Sequence, residues 1–300
     1  MGRAWLKKDG RVRGGWRILL YLALLLLLYV VGVYAASVLP RSPLGWFNYI
    51  LLTAAGLLAG WVMLVRFDGR SPGALGFAVT RATGREILLG VGVGAALIGV
   101  ATLLLLVTGS ARFVPDGGGA VDYARTLAWT FAYFGLAAAY EEVWFRGYGF
   151  QALVEQIGVW PTVVLTSGLF SAAHLGNPEV DAIAIVNIFL AGVLLGFAYL
   201  RTRSLWFPTA LHAGWNWTMA TALGFPVSGL VLMDTPLYDA VETGSDWWTG
   251  GGFGPEAGLA GTAVLAAGIA WLLRTRAVSE PPEMRALRPI VDSRLLEEGA

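Results

Sequence analysis

Two adjacent glutamates and an arginine end an apolar run in the stretch AAAYEEVWFRGYGF, residues 137–150. Glu142 and Arg146 are four residues apart and share a helix face, whereas Glu141 is rotated away by about 100°. We therefore expect Arg146 to pair with Glu142 and to leave Glu141 free. A free carboxylate in a poorly solvated cavity can act as a general base. The alternative is a charge cluster that reaches into water at a cytoplasmic helix end.

The chain's two histidines both fall in apolar segments. Phe170 and His174 are one turn apart in LFSAAHLGN, and His212 and Asn216 have the same spacing in ALHAGWNW. This spacing places each pair on one helix face. An isolated intramembrane histidine is more often a hydrogen-bonded packing residue than a catalyst. The packing interpretation is weaker here, because two randomly placed histidines would not be expected to fall both within predicted spans.

Together these groups suit hydrolysis of an amide bond. A carboxylate, two imidazoles and the Asn216 carboxamide can activate a water and stabilise an oxyanion. They can equally bind a divalent metal such as zinc, with Glu141, His174 and His212 as candidate ligands. The residues alone leave both chemistries open.

The elements that must position these groups are membrane helices. The chain has 300 residues, of which 56% are hydrophobic and 14% charged, and its mean hydropathy is +0.64. This composition predicts an all-α, polytopic integral membrane protein with about eight transmembrane helices. The predicted spans are approximately 18–39, 47–65, 87–108, 124–145, 159–176, 182–200, 205–223 and 257–273.

The basic residues predict the orientation of these spans. With the N-terminus inside, 18 of the 21 Lys and Arg residues fall on the cytoplasmic side. Arg41, Arg112 and Arg125 are the exceptions. Both termini are therefore expected in the cytoplasm. A cleaved signal peptide is the competing interpretation of the first span, whose apolar run is long for one.

The spans divide the chain into five regions. They are an N-terminal three-span region with a basic leader (1–119), a four-span core (120–223), an extracytoplasmic loop (224–256), a last span (257–276) and a cytoplasmic tail (277–300). The tail is expected to be flexible or to form a short surface helix. Segment 147–158 is amphipathic and is expected along the cytoplasmic interface. Gly192 and Gly196, and the glycines of GVGVG at 90–94, predict close helix packing.

Composition also excludes several functions. The chain contains no cysteine, which excludes disulfides, thiolate metal sites and cysteine nucleophiles. Its formal net charge is +1, and no basic run is interleaved with aromatic residues, so no nucleic-acid partner is expected.

Three motifs resemble those of the CPBP family, also called the Abi or CAAX-protease-like family. The family is marked by Glu-Glu-x-x-x-Arg, Phe-x-x-x-His and His-x-x-x-Asn motifs on successive core helices. Here they are EEVWFR (141–146), FSAAH (170–174) and HAGWN (212–216), intact and in order. The resemblance covers about residues 120–223.

This resemblance implies an intramembrane endopeptidase of a bacterial or archaeal cell membrane. Glu141, helped by His174, would activate a water, while His212 and Asn216 hold the oxyanion. Glu142 and Arg146 would keep Glu141 in place. The expected partners are the lipid bilayer and a membrane-associated protein or peptide substrate, lipidated or not. A non-catalytic scaffold or bacteriocin-immunity protein of the same fold is the alternative.

Other classes fit less well. HExxH and Gly-x-Gly-Asp motifs are missing, and Leu165 interrupts a rhomboid-like Gly-x-Ser-Gly motif. A serine dyad would have to use Ser167 or Ser171 with His174. A proton-coupled transporter would distribute acids along a path through several helices. By the predicted spans, embedded acids are confined to Glu141 and Glu142.

Overall fold

The computed structural model describes residues 7–8, 11–37 and 45–295, and it is mostly helical (73%). Arg3, Arg41 and the end of the predicted tail, residues 296–300, lie outside the described residues. The helices are α1 (Gly14–Ser37), α2 (Trp46–Met63), α3 (Thr83–Val107), α4 (Ala120–Arg146), α5 (Tyr148–Ile157), α6 (Val159–Ala173), α7 (Ala182–Thr202), α8 (Trp206–Trp217), α9 (Asp246–Thr249), α10 (Leu259–Arg274), α11 (Pro282–Leu287) and α12 (Asp292–Leu295).

Within the described residues, four helical segments are long and apolar enough to cross a membrane. They are Gly14–Ala35, Trp46–Asp68, Thr83–Val107 and Ala182–Thr202. The helices α6 and α10 are apolar but shorter, with 15 and 16 residues. Helix α4 has 27 residues but includes the charged motif. The eight spans and the cytoplasmic termini therefore stay predictions.

Short strands accompany the helices, so the all-α prediction holds only in its coarser form. Strand β1 (Lys7–Lys8) pairs with β2 (Arg11–Val12), and β3 (Ala111–Pro115) pairs antiparallel with β4 (Tyr238–Glu242). Ala111 lies opposite Glu242 in the second pair. The predicted outer loop is thus folded, and a strand ladder joins it to the end of α3.

Helix α8, which carries two of the motif residues, packs backbone to backbone against α3. A Cβ atom built on Gly94 would lie 2.2 Å from the Leu211 carbonyl oxygen and 2.6 Å from the Trp215 nitrogen. Small residues allow such close approach, as predicted for the GVGVG stretch. Gly92, on another face of α3, has no atom within 4 Å of its built Cβ.

Helix α7 holds α6 in the same way. The Asp181 side chain caps α7 by accepting a hydrogen bond from the Ala184 amide at 2.7 Å. One face of α7 then presents Gly192, where a Cβ would lie 2.8 Å from the Ser167 Cα. The close contact at Gly192 agrees with the predicted small-residue packing, and it fixes the distance between the two helices.

The described part of the C-terminal tail is docked on the protein. Met284, Ile290 and Val291 are fully buried. The Ile290 amide donates a hydrogen bond to Gln151 Oε1 on α5 at 3.0 Å. Of the two alternatives expected for the tail, a flexible segment or a short surface helix, the described residues follow the helical one, since they include α11 and α12. Their buried apolar side chains pack against α5 and its neighbours.

The α3–α8 contact predicts a steric effect at Gly94. Gly94→Ala places a methyl group inside contact distance of the α8 backbone, and overpacking of this kind costs about 1–3 kcal/mol. We expect a lower thermal unfolding midpoint in detergent micelles. Gly92→Ala is the matched control and should leave the midpoint unchanged or slightly raised. Equal midpoints for the two variants would contradict the packing.

Candidate active site

The Glu142–Arg146 pair predicted from spacing is present and buried. Arg146 Nη1 donates to Glu142 Oε1 at 2.9 Å, and both side chains are almost fully shielded from solvent. Arg146 Nη2 donates to the Gly192 carbonyl oxygen on α7 at 3.1 Å. The guanidinium also lies over the Phe170 ring, 4.7 Å from its centroid. One cation therefore joins α4, α6 and α7.

His212 lies between the two glutamates. Its Nδ1 is 3.0 Å from Glu142 Oε1, and its Nε2 is 3.8 Å from Glu141 Oε2. Glu142 is paired with a guanidinium and is therefore the acceptor in the first contact, so Nδ1 carries the proton. The Nε2 atom is left facing Glu141, where it accepts in the neutral ring and donates in the imidazolium.

His174 is fixed at the end of α6 in the same tautomer. Its Nδ1 is 2.8 Å from the Phe170 carbonyl oxygen, which can only accept, so Nδ1 is the donor and Nε2 is the acceptor nitrogen of the neutral ring. The rings of Phe170 and His174 have centroids 4.9 Å apart, and Phe170 also contacts His212 at 6.1 Å. Phe170 therefore packs between the arginine and both imidazoles.

The predicted groups converge on one cavity of about 250 Å³. Glu141, His174, His212 and Asn216 line it, whereas Glu142 and Arg146 stand behind its wall. Aromatic side chains from α2 and α4 supply much of the remaining surface. Among the described residues Glu141 Oε2 is buried without a hydrogen-bond partner. A buried, unsatisfied carboxylate oxygen beside a cavity is suited to receive a proton from a water or a substrate group.

Several polar residues of this cavity were not predicted as site residues. Glu256 and Ser228, both assigned to the outer loop, line it together with Asn187. Glu86 is a further buried acid inside the candidate span α3, so embedded acids are not confined to Glu141 and Glu142. Glu86 accepts a hydrogen bond from Ser204 at 2.7 Å and does not line the cavity. No periodic pattern marks these residues in the sequence.

The two serines considered as nucleophiles are directed elsewhere. Ser171 Oγ donates to the Ile185 carbonyl oxygen at 2.7 Å. Ser167 is buried against Gly192 in the contact between α6 and α7. Neither residue lines the cavity, which weakens the serine-dyad interpretation.

The candidate metal ligands do not form a preassembled site. Glu141 and His212 face each other, but no group of three or more His, Asp or Glu side chains within residues 7–8, 11–37 and 45–295 is close enough to hold one ion. Structural and catalytic zinc sites use at least three protein ligands. The arrangement of Glu141, His174 and His212 therefore does not fit a zinc centre.

The central part of the chain has a family match. Residues 123–218 match the model of the family described as Type II CAAX prenyl endopeptidase Rce1-like. They form a domain of the CPBP family. No curated protein matches the chain closely enough to count as a relative. At the level of the family, this CPBP domain supports a CAAX-protease-like hydrolase, and with the apolar helices it supports an integral membrane protein.

The CPBP domain contains α4 from Tyr123 onward, α5, α6, α7 and α8. All seven motif residues lie within it. The segments that add Ser228 and Glu256 to the cavity lie beyond its end, so the cavity wall is wider than the matched domain.

The buried ion pair predicts a strong asymmetry between single and double variants. Arg146→Met leaves Glu142 as an uncompensated buried charge, a loss that costs about 3–5 kcal/mol. Glu142→Gln combined with Arg146→Met removes both charges and should recover part of this stability in thermal unfolding experiments. The exposed pair of Asp122 and Arg125, 3.3 Å apart, provides the control. Arg125→Met should change stability by less than about 1 kcal/mol. A similar effect of the two arginine variants would show that the buried pair has no special role.

Proposed function

We propose that the chain is an intramembrane endopeptidase that hydrolyses peptide bonds of a membrane-associated protein or peptide. The observation that carries this proposal is the convergence of Glu141, His174, His212 and Asn216 on one cavity. These residues come from three helices, so their meeting is a property of the tertiary structure rather than of local spacing. The family match is consistent with the same class of reaction.

In the proposed reaction, Glu141 takes a proton from a water whose oxygen attacks the scissile carbonyl carbon. The electrons of the carbonyl double bond move to its oxygen, which the Asn216 amide and the protonated His212 Nε2 stabilise by hydrogen bonds. When the tetrahedral intermediate collapses, the C–N bond breaks. The proton held by Glu141 passes to the leaving amine, directly or through the free Nε2 of His174.

Glu142 and Arg146 have a supporting role in this scheme. Glu142 accepts the hydrogen bond from His212 Nδ1 and so directs Nε2 toward Glu141. Arg146 holds Glu142 in place through their 2.9 Å contact. Partners that orient an imidazole in this way select its tautomer.

The topology that accompanies this function is the predicted one. We propose eight spans, with α4, α6, α8 and α10 in addition to the four long apolar segments, and both termini in the cytoplasm. The distribution of 18 of 21 basic residues supports this orientation. The proposed location is a bacterial or archaeal cell membrane. Lipidated and unmodified substrates would use the same catalytic groups in this scheme.

Two rival functions are less well supported. A scaffold or immunity protein has no need of the motif side chains, yet all seven are present in the sequence, and five of them line the cavity, namely Glu141, Phe170, His174, His212 and Asn216. A proton-coupled transporter needs acids along one continuous path. Glu256 lines the same cavity as Glu141, but Glu86 lies outside it. The buried acids of the described residues thus do not form one path through the helices.

The peptidase proposal predicts that Glu141→Gln abolishes cleavage while preserving side-chain size. Loss of a general base lowers the rate by about 10²–10⁴-fold. We expect peptide termini that are present in membranes expressing the wild type to be missing with Glu141→Gln in a proteomic comparison. The Ser167→Ala, Ser171→Ala double variant is the control and should give the wild-type termini. Identical termini for wild type and Glu141→Gln would refute the proposal in that host, and their loss in the serine variant would favour a serine mechanism.

The metal-free form of this mechanism makes a separate prediction. Zinc analysis of the purified protein should give well under one equivalent per chain, and His212→Ala should not change the value. A full equivalent in the wild type that is lost in His212→Ala would instead assign His212 as a ligand and require zinc chemistry.

A further inference from the structure

Glu256 is a buried acid that faces the cavity from outside the matched domain. It lies just before α10 and is 5% exposed. Its Oε1 accepts a hydrogen bond from Ser228 Oγ at 2.5 Å, and its Oε2 accepts one from Trp215 Nε1 at 3.2 Å. Two donors on two oxygens match a carboxylate, whereas a glutamine has one acceptor oxygen in place of two and keeps at most one of these donors.

The backbone around Glu256 is fixed to α7. Asn187 Nδ2 donates to the carbonyl oxygens of Glu256 at 2.7 Å and Gly258 at 2.9 Å. Asn187 Oδ1 in turn accepts from Thr262 Oγ1 at 2.8 Å. The Glu256 side-chain carboxylate and its backbone carbonyl oxygen both accept hydrogen bonds, so this residue is held in a fixed position.

One side of Glu256 leads to the motif on α8. Trp215 lies between His212 and Asn216 in the sequence of that helix. The hydrogen bond from its indole to Glu256 therefore restrains the part of α8 from which Asn216 reaches the cavity.

The other side of Glu256 leads to the turn that carries His174. Ser228, which donates to Glu256, has its carbonyl oxygen bonded by Asn177 Nδ2 at 2.9 Å. The Asn177 amide donates to the His174 carbonyl oxygen at 3.0 Å. In addition, Phe253 and Ala257, on either side of Glu256, are buried in a cluster with Phe170.

From these contacts we propose that Glu256 is a positioning residue of the active site, which holds the Asn216 end of α8 at a fixed distance from the His174 turn. This role rests on the proposed peptidase function, since it concerns the placement of an oxyanion donor relative to an imidazole. A displacement of about 1 Å at a reacting centre can lower a rate by about 10²-fold.

The kinetic test uses Glu256→Gln and Trp215→Phe, assayed on a peptide containing the cleavage site found by comparing wild type with Glu141→Gln. Each variant should lower kcat by about 10²-fold with KM within about twofold, because the reacting groups move while the rest of the cavity is intact. The double variant should be no slower than either single one, because both substitutions interrupt the same chain of hydrogen bonds from Trp215 through Glu256 to Ser228. Trp215→Phe leaves Glu256 unchanged and keeps an aromatic side chain at position 215, while it removes the indole donor. It therefore tests the positioning role even if Glu256→Gln folds poorly.

Glu242→Gln is the matched control for this test. Glu242 is another acid of the outer segment with buried carboxyl oxygens, but it does not line the cavity. We expect its kcat to equal that of the wild type. The proposal is overturned if Trp215→Phe keeps the wild-type kcat, if the two substitutions are additive, or if Glu242→Gln is as slow as Glu256→Gln.

A second measurement does not depend on activity. The chain has two histidines, so imidazole NMR signals of histidine-labelled protein in micelles can be assigned with a single His174→Gln variant. The His174 signals should shift in Trp215→Phe and Glu256→Gln and stay unchanged in Glu242→Gln. Unchanged His174 signals in both site variants overturn the proposal. If the proteomic comparison refutes the peptidase function, this experiment still decides whether Glu256 links the two motifs.

Discussion

The guanidinium of Arg146 is the group on which the site depends. It donates to Glu142 on its own helix and to the Gly192 carbonyl oxygen on α7, and it lies over Phe170 on α6. A buried ion pair gives little net stability, because desolvation offsets the attraction. Its contribution here is to the relative position of the helices. Each of the three contacts of Arg146 forms only when its partner lies at one position along its helix, so together they favour one register of α4, α6 and α7.

That register also determines where the protons of the imidazoles are. His174 Nδ1 faces a carbonyl oxygen and His212 Nδ1 faces a carboxylate, so the two rings have the same tautomer. Their Nε2 atoms have different neighbours, since His212 Nε2 is 3.8 Å from Glu141. Two chemically identical side chains can therefore take different roles. A poorly solvated cavity strengthens this difference, because charges and dipoles act there with less screening.

Features that depend on neighbouring residues of one helix can be predicted from the sequence, whereas features that depend on packing between distant segments cannot. The pairing of Glu142 with Arg146 follows from a four-residue spacing, and the long apolar helices follow from composition and length. The position of His174 and Glu141 on one cavity depends on how α6 and α4 pack, and spacing within each helix carries no information about it. Glu256 was missed for the same reason: an acid in a long outer segment is expected in water, and its burial depends on that segment folding back over α8. The docking of the tail was missed because Pro289 separates Met284 from Ile290 and Val291, so the sequence has no continuous amphipathic helix that would predict a buried face.

The short helices explain why a polar site can exist among apolar spans. Helix α8 has 12 residues and continues directly as a π-helical segment, Thr218–Ala222. Helix α6, with 15 residues, is about 22 Å long, whereas a hydrocarbon core is roughly 30 Å thick. Helices of this length that begin at one surface end before the other, and backbone that ends inside the membrane needs partners from the protein. Asn177, which follows α6, donates from its side chain to the carbonyl oxygen of Ser228, and the Trp215 indole on α8 donates to Glu256. The outer segment that accepts these two hydrogen bonds also forms part of the cavity wall. Because α6 ends at Ala173, His174 lies at the start of a turn and lines the same cavity as Asn216 on α8, where both side chains can reach one water molecule.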